Sequence, residues 1–248
     1  MSNDDQVPNE PQTPPRREGL FGRSPAILWF EAWPMIVVLA LIWLAFLVQS
    51  AFELTGQGET AFVLGGLWKP GVYKGLWWTP LTHMFMHMSW GQPWGWMHIV
   101  LNSGALVALG PAIAQRFGRD ALGGLLFLVF YLVCGLAGAG AFLLLGPDQV
   151  LAVGASGAIF GLWGAVARLS GPGQAKLAPI FSPSVLRQVG SAVFSNLIVL
   201  GAAFGYGAMS GGGGGIAWQA HLGGFVAGFF LIQLMPVRFR WLKDLRGA

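Results

Sequence analysis

Residues 121–145 read ALGGLLFLVFYLVCGLAGAGAFLLL, an apolar run without a charged side chain. A helix needs about 20 such residues to cross the roughly 30 Å hydrocarbon core of a bilayer, and this stretch meets that length alone. Working outward, apolar stretches recur at 33–51, 98–115, 156–169, 190–209 and 218–235; those starting at 98 and 156 are short for a crossing. The 248 residues are 54% hydrophobic and only 10% charged, with a mean hydropathy of +0.61. A soluble domain carries about 25% charged residues, so this chain cannot dress a water-facing surface. The expected fold is an all-α membrane protein of six transmembrane helices, with the lipid bilayer as solvent.

Six crossings put both termini on one side. All 14 basic residues except Lys69 and Lys74 then fall on that side, from Arg16 and Arg17 through Arg116, Arg119 and Arg168 to Arg246. Positive charge gathers in cytoplasmic loops, so both termini are expected in the cytoplasm. The expected organisation is a disordered cytoplasmic tail at 1–24, a six-helix membrane domain at 25–238 and a basic cytoplasmic tail at 239–248. The first tail is polar and proline-rich, without the short apolar core of a secretory signal. The orientation, with no transit peptide ahead of it, favours a bacterial plasma membrane. Net charge is +4, but the basic residues lie at helix ends rather than on one face, so no nucleic-acid partner is expected. The lone cysteine, Cys134, offers neither an intramolecular disulfide nor a Cys-rich metal motif, and no cofactor is implied.

Two outer loops stand out. Residues 52–97 are rich in Trp, Gly and Pro and show no clear helix of their own; loops of that length are usually functional. Gly211 to Gly215 form an unbroken glycine run, which suits either a simple linker or a mobile gate.

Polar groups inside a membrane need a reason. The candidates are Ser156, His221, His98 and Asn102. At about 1.5 Å of rise per residue, Ser156 stands about 18 Å above Arg168, and Asn102 about 21 Å above Arg116. His221 stands about 25 Å above Arg238, and His98 about 27 Å above Arg116. Three helices would thus place polar side chains in one layer of the outer half. Ser156 lies between Gly154-Ala155 and Gly157, where glycines let other backbone approach the hydroxyl. At a helix start its own N–H is an unpaired first-turn donor, as a tetrahedral oxyanion requires, although a serine there also serves as a plain cap. His221, Gly224 and Gly228 share one helix face, and Gly157, Gly161 and Gly164 form a matching small stripe. Close contact of two such faces would bring His221 to Ser156 as its base; a lone histidine is otherwise structural or a proton carrier. No Asp or Glu lies within the last five apolar segments, so the expected unit is a dyad, with His221 oriented by packing or other hydrogen bonds. His98 and Asn102, at i and i+4, share a face and either complete the oxyanion hole or tie helices together.

With these residues assembled, the chain resembles the rhomboid family of intramembrane serine proteases over roughly residues 30–235. Gly154-Ala155-Ser156-Gly157 is similar to the family's nucleophile motif. Ala220-His221 with Gly224 and Gly228 is similar to its last-helix motif, and His98-Ile-Val-Leu-Asn102 to its second-helix motif. His83 and His87 resemble further histidines ahead of that helix. The resemblance implies a six-helix bundle with a water-filled cavity open to the outside and cleavage of single-span substrates near the outer surface. Ser156 would be nucleophile, His221 base, His98 and Asn102 oxyanion donors, and Phe160 the aromatic packed on the histidine. The chain departs from the family in three places. Trp77-Trp78-Thr79 stands where Trp-Arg is common, residues 88–97 widen the gap between His87 and His98, and Ala114 replaces an acidic residue.

Two rival classes make different predictions. A metal site on His83, His87 and His98 would bind metal stoichiometrically but leaves the serine motif unexplained. A non-catalytic rhomboid-like chaperone or scaffold would usually lack the serine or the histidine.

Overall fold

A computed structural model describes residues 32–92, 95–170, 174–210 and 217–238. The expected tails at 1–24 and 239–248 and the glycine run at 211–215 lie outside the described residues. The chain runs α1 (Trp33–Leu54), α2 (Gly58–Gly65), α3 (Lys69–Tyr73), α4 (Thr79–Thr82), α5 (Gly95–Phe117), α6 (Ala121–Leu145) and α7 (Ser156–Arg168). A small hairpin of β1 (Leu169–Ser170) and β2 (Lys176–Leu177) follows, then α8 (Pro183–Ser210) and α9 (Trp218–Leu231).

Among the described residues, four helices are long and apolar enough to cross a membrane: α1, α5, α6 and α8 over Pro183–Gly201. The chain is a multi-pass helical membrane protein. The helices that carry Ser156 and His221 have only 13 and 14 residues, short of the roughly 20 a full crossing takes. They sit at the centre of the packing. Lipid gives no hydrophobic drive between helices, so association there depends on close van der Waals fit and small residues. Gly224 and Gly228 of α9 meet the carbonyls of Gly157 and Gly161 of α7 so closely that a β-carbon at either glycine would collide with backbone. The main core joins Val38 and Ile42 of α1, Leu106 of α5, Phe130 of α6 and Leu162 of α7. Cys134 is buried there as a free thiol.

The loop at 52–97 differs from its expectation of no helix. It contains α2, α3 and α4, of 8, 5 and 4 residues. These are too short to show a helical period, but proline opens two of them, Pro70 and Pro80, where its missing N–H costs nothing. The loop is fixed to the bundle by a two-bond bridge between Leu67 and Ala152, at 2.9 and 2.8 Å. Thr82 donates its hydroxyl to the Gly65 carbonyl at 2.8 Å, and Trp78 its indole N–H to the Leu64 carbonyl at 2.8 Å. Internal side-chain-to-carbonyl bonds thus order the Trp77-Trp78-Thr79 stretch. Lys69 and Asp148 add an ion pair at 3.4 Å.

At the opposite end, Asp120 caps α6 by accepting from the Gly123 N–H at 3.0 Å. Arg238 donates to both its oxygens, at 2.7 and 2.9 Å. These bonds hold the Asp120 carboxyl below the usual carboxylate range, Arg238 first and Gly123 second. The Arg238 N–H donates to the Arg116 carbonyl at 2.9 Å. The buried Arg116 side chain donates to the Gln174 carbonyl at 2.8 Å. One basic cluster therefore ties the ends of α5 and α9 to the hairpin.

Candidate active site

The chain enters α7 in a pinned conformation that calls for glycine. Ala152 is paired to Leu67, and the Gly154 N–H donates to the His83 carbonyl at 2.9 Å. Gly154 then takes a φ of +125°, which L side chains rarely adopt. Two residues later the helix begins, so Ser156 is its first residue and its N–H is a first-turn donor beyond the reach of any helical carbonyl.

The glycine contact between α7 and α9 brings the imidazole of His221 to this helix start. Its Nε2 lies 2.7 Å from Ser156 Oγ. The histidine is 6% exposed, and Phe160, one turn after the serine, stacks on its ring at 4.3 Å and 2°. On its far side Nδ1 lies 2.8 Å from Asn196 Oδ1 of α8. The sequence carries no motif around Asn196. The available signal is its position: Val185, Val189, Ala192 and Asn196 make one stripe down α8, in which Val185 and Ala192 are buried. A polar residue ending such a stripe inside a membrane is a functional pointer.

His98 and Asn102 converge on Gly154 from α5. A β-carbon placed on Gly154 would be 2.8 Å from His98 Cε1, 2.9 Å from its Nε2 and 3.7 Å from Asn102 Nδ2. The Met88 N–H donates to His98 Nδ1 at 3.3 Å. That bond makes Nδ1 the acceptor and leaves the N–H on Nε2, the ring nitrogen on the Gly154 side. Asn102 spends one amide hydrogen on the His98 carbonyl at 2.9 Å and keeps the second. All four polar residues singled out in the sequence therefore gather around Gly154-Ala155-Ser156-Gly157.

His83 and His87 lie outside this cluster of donors. His83 donates from Nδ1 to the Thr79 carbonyl at 3.1 Å, and burial pushes its imidazole down to about 4. Burial, and then proximity to His98, push His87 down to about 3. Both are neutral at physiological pH. Within the segment 88–97, Pro93 and Trp94 lie outside the described residues and 95–97 already belong to α5, and the His87 and His98 rings meet at 5.2 Å. Gln49 of α1 brackets the His87 backbone, donating to its carbonyl at 2.8 Å and accepting from its N–H at 3.1 Å. Among the described residues, no three His, Cys, Asp or Glu side chains form a group that could hold a metal ion.

The fold and site define a class, the polytopic helical membrane proteins with a serine hydroxyl and an imidazole in contact inside the bundle. The Rhomboid domain model matches residues 74–237, and the chain belongs to the rhomboid family. Over 172 residues it is 28% identical to the rhomboid protease GluP of Bacillus subtilis (strain 168), covering 69% of this chain and 29% of that one. Over 191 residues it is 29% identical to RHOMBOID-like protein 7 of Arabidopsis thaliana, covering 76% of this chain and 53% of that one. The matches therefore span about half or less of those relatives' lengths.

Proposed function

We propose that the chain is an intramembrane serine endopeptidase working through a Ser156–His221 dyad. The observation that carries this reading is the 2.7 Å contact between His221 Nε2 and Ser156 Oγ at a helix start flanked by glycines. In the catalytic step His221 Nε2 takes the hydroxyl proton as Oγ attacks a peptide carbonyl, then delivers that proton to the leaving amine. Water hydrolyses the acyl-serine by the same route in reverse. The oxyanion is held by the Ser156 N–H, the His98 Nε2–H and the free amide hydrogen of Asn102. Loss of one such donor costs about 10²–10³ in rate.

The same reading supplies the architecture. α7 and α9 complete six membrane segments, with both termini cytoplasmic. The short α7 is tolerable because the non-helical stretch ahead of it lines a wet cavity rather than lipid. Substrates are single-span membrane proteins cut near the outer surface, and the host membrane is a bacterial plasma membrane.

The test uses the purified full chain in lipid with a tagged single-span substrate. Ser156→Ala and His221→Ala are each expected to reduce cleavage to background while thermal unfolding stays close to wild type. Cleavage at the wild-type rate in either well-folded variant would reject the dyad, and absence of cleavage by the wild type across several substrates would favour the scaffold reading.

A further inference from the structure

Asn196 stands outside every motif discussed above, yet it makes the second of the two hydrogen bonds to the His221 ring. We infer that Asn196 is the positioning residue of the base, fixing the ring and its tautomer from α8; this rests on reading His221 as that base.

The argument begins with proton bookkeeping. Neutral imidazole has one N–H and one lone-pair nitrogen. An amide oxygen 2.8 Å from Nδ1 accepts, so Nδ1 carries the hydrogen. Nε2 is then the lone-pair nitrogen, and it is the atom 2.7 Å from Ser156 Oγ. The opposite tautomer would aim a donor at the serine and leave its proton without an acceptor. Phe160, stacked on the ring face, restricts tilt but does not choose between tautomers. Only a directional partner at Nδ1 does so, and no carboxylate is present among the described residues near the ring to supply one.

The bond comes from the helix least held by the rest of the bundle. Only 11% of the most apolar window of α8 is buried, against 28%, 33% and 39% in the other three long helices. Its cytoplasmic end is anchored: Val185 is packed with Ala167, Ala178 and Phe229, and Gln188 accepts from the Trp163 indole N–H at 2.9 Å. Further out, Leu197 and Ile198 are exposed. Among the described side chains, the Asn196–His221 bond is therefore the polar tether of α8 beyond that anchored end. An outward swing of α8 about its anchored end would release Nδ1, so a displaced helix carries a disarmed base. Seating of α8 and competence of the dyad become one event.

The experiment compares Asn196→Leu, which keeps the size but loses the acceptor, with Asn196→Asp, which keeps an oxygen in place. For Asn196→Leu we expect kcat to fall about 10- to 100-fold, the cost of a mis-set reacting group, with KM and thermal unfolding nearly unchanged. Asn196→Asp is expected to recover most of the loss. Nitrogen NMR of histidine-labelled protein in detergent adds a readout that needs no substrate. In the wild type the His221 signal should show protonated Nδ1 and bare Nε2, and in Asn196→Leu a mixture of tautomers. An unchanged kcat and an unchanged tautomer in Asn196→Leu would overturn the inference while leaving the dyad intact. If instead Ser156→Ala cleaves like the wild type, the dyad falls, and the nitrogen spectrum alone decides whether Asn196 sets the ring.

Discussion

A methyl group on Gly154 would stand 2.8 Å from His98 Cε1 and 2.9 Å from Nε2, in a backbone whose φ of +125° already resists side chains. Strain of that kind costs on the order of 1–3 kcal/mol. The easier relaxation is a shift of the His98 ring, which moves a proposed oxyanion donor. Gly154→Ala is therefore expected to lower kcat about 10²–10³-fold, as the loss of one donor does, with a much smaller change in thermal unfolding. A wild-type kcat in that variant would remove His98 from the oxyanion hole. At this scale the sequence is unevenly legible. Ser156 and His221 stand out because glycines at helix-packing spacing surround them, and His98 and Asn102 because they are polar at i and i+4 in an apolar run. Asn196 is faint because its only signal is its place at the end of the Val185, Val189 and Ala192 stripe, and that stripe points inward only once the turn of α8 about its axis is known. His83 contributes a carbonyl to the Gly154 N–H, a group every residue has, so its side chain says nothing of the contact.

Among the elements, α7 and α9 depend on contacts that tolerate no added atom. A β-carbon on Gly228 would overlap the backbone carbonyl of Gly161, and backbone cannot rotate aside as a side chain does. Gly228→Val is expected to cost about 1–3 kcal/mol or more of stability, as overpacking does, and to abolish cleavage by parting the two helices. Gly104 on α5 is the matched control. It faces open space, so Gly104→Ala should be neutral or stabilising by up to about 1 kcal/mol through helix propensity. Denaturant or thermal unfolding in detergent separates the two, and equal effects would contradict the packing argument. Hydropathy locates the long helices well: α6 coincides with 121–145 because both its ends are marked, by Asp120 and Gly146. α8 starts at Pro183 rather than 190, since Arg187 and Gln188 break the apolar count although Gln188 is paired with Trp163. The helices α2, α3 and α4 escape because a turn or two of helix has no period to read.

For the whole molecule, the cluster of Arg116, Asp120, Arg168 and Arg238 gathers at one end and the Ser156–His221 pair stands away from it. In the orientation proposed here that basic end is cytoplasmic and the pair opens outward. The single native cysteine, Cys134, is buried and free, so introduced cysteines can report topology over a low background. Glu59 on α2 and Lys176 on the hairpin are both exposed and lie at opposite ends of the bundle. With the protein in a bacterial inner membrane, a membrane-impermeant maleimide should label Glu59→Cys in intact spheroplasts and Lys176→Cys only after permeabilisation. The reverse pattern would turn the site toward the cytoplasm. Cleavage at the outer surface would then be impossible, even with the hydroxyl and imidazole still 2.7 Å apart. Chemistry and orientation are set by different physics, one by glycine-mediated contact and the other by the placement of basic side chains, so each needs its own measurement.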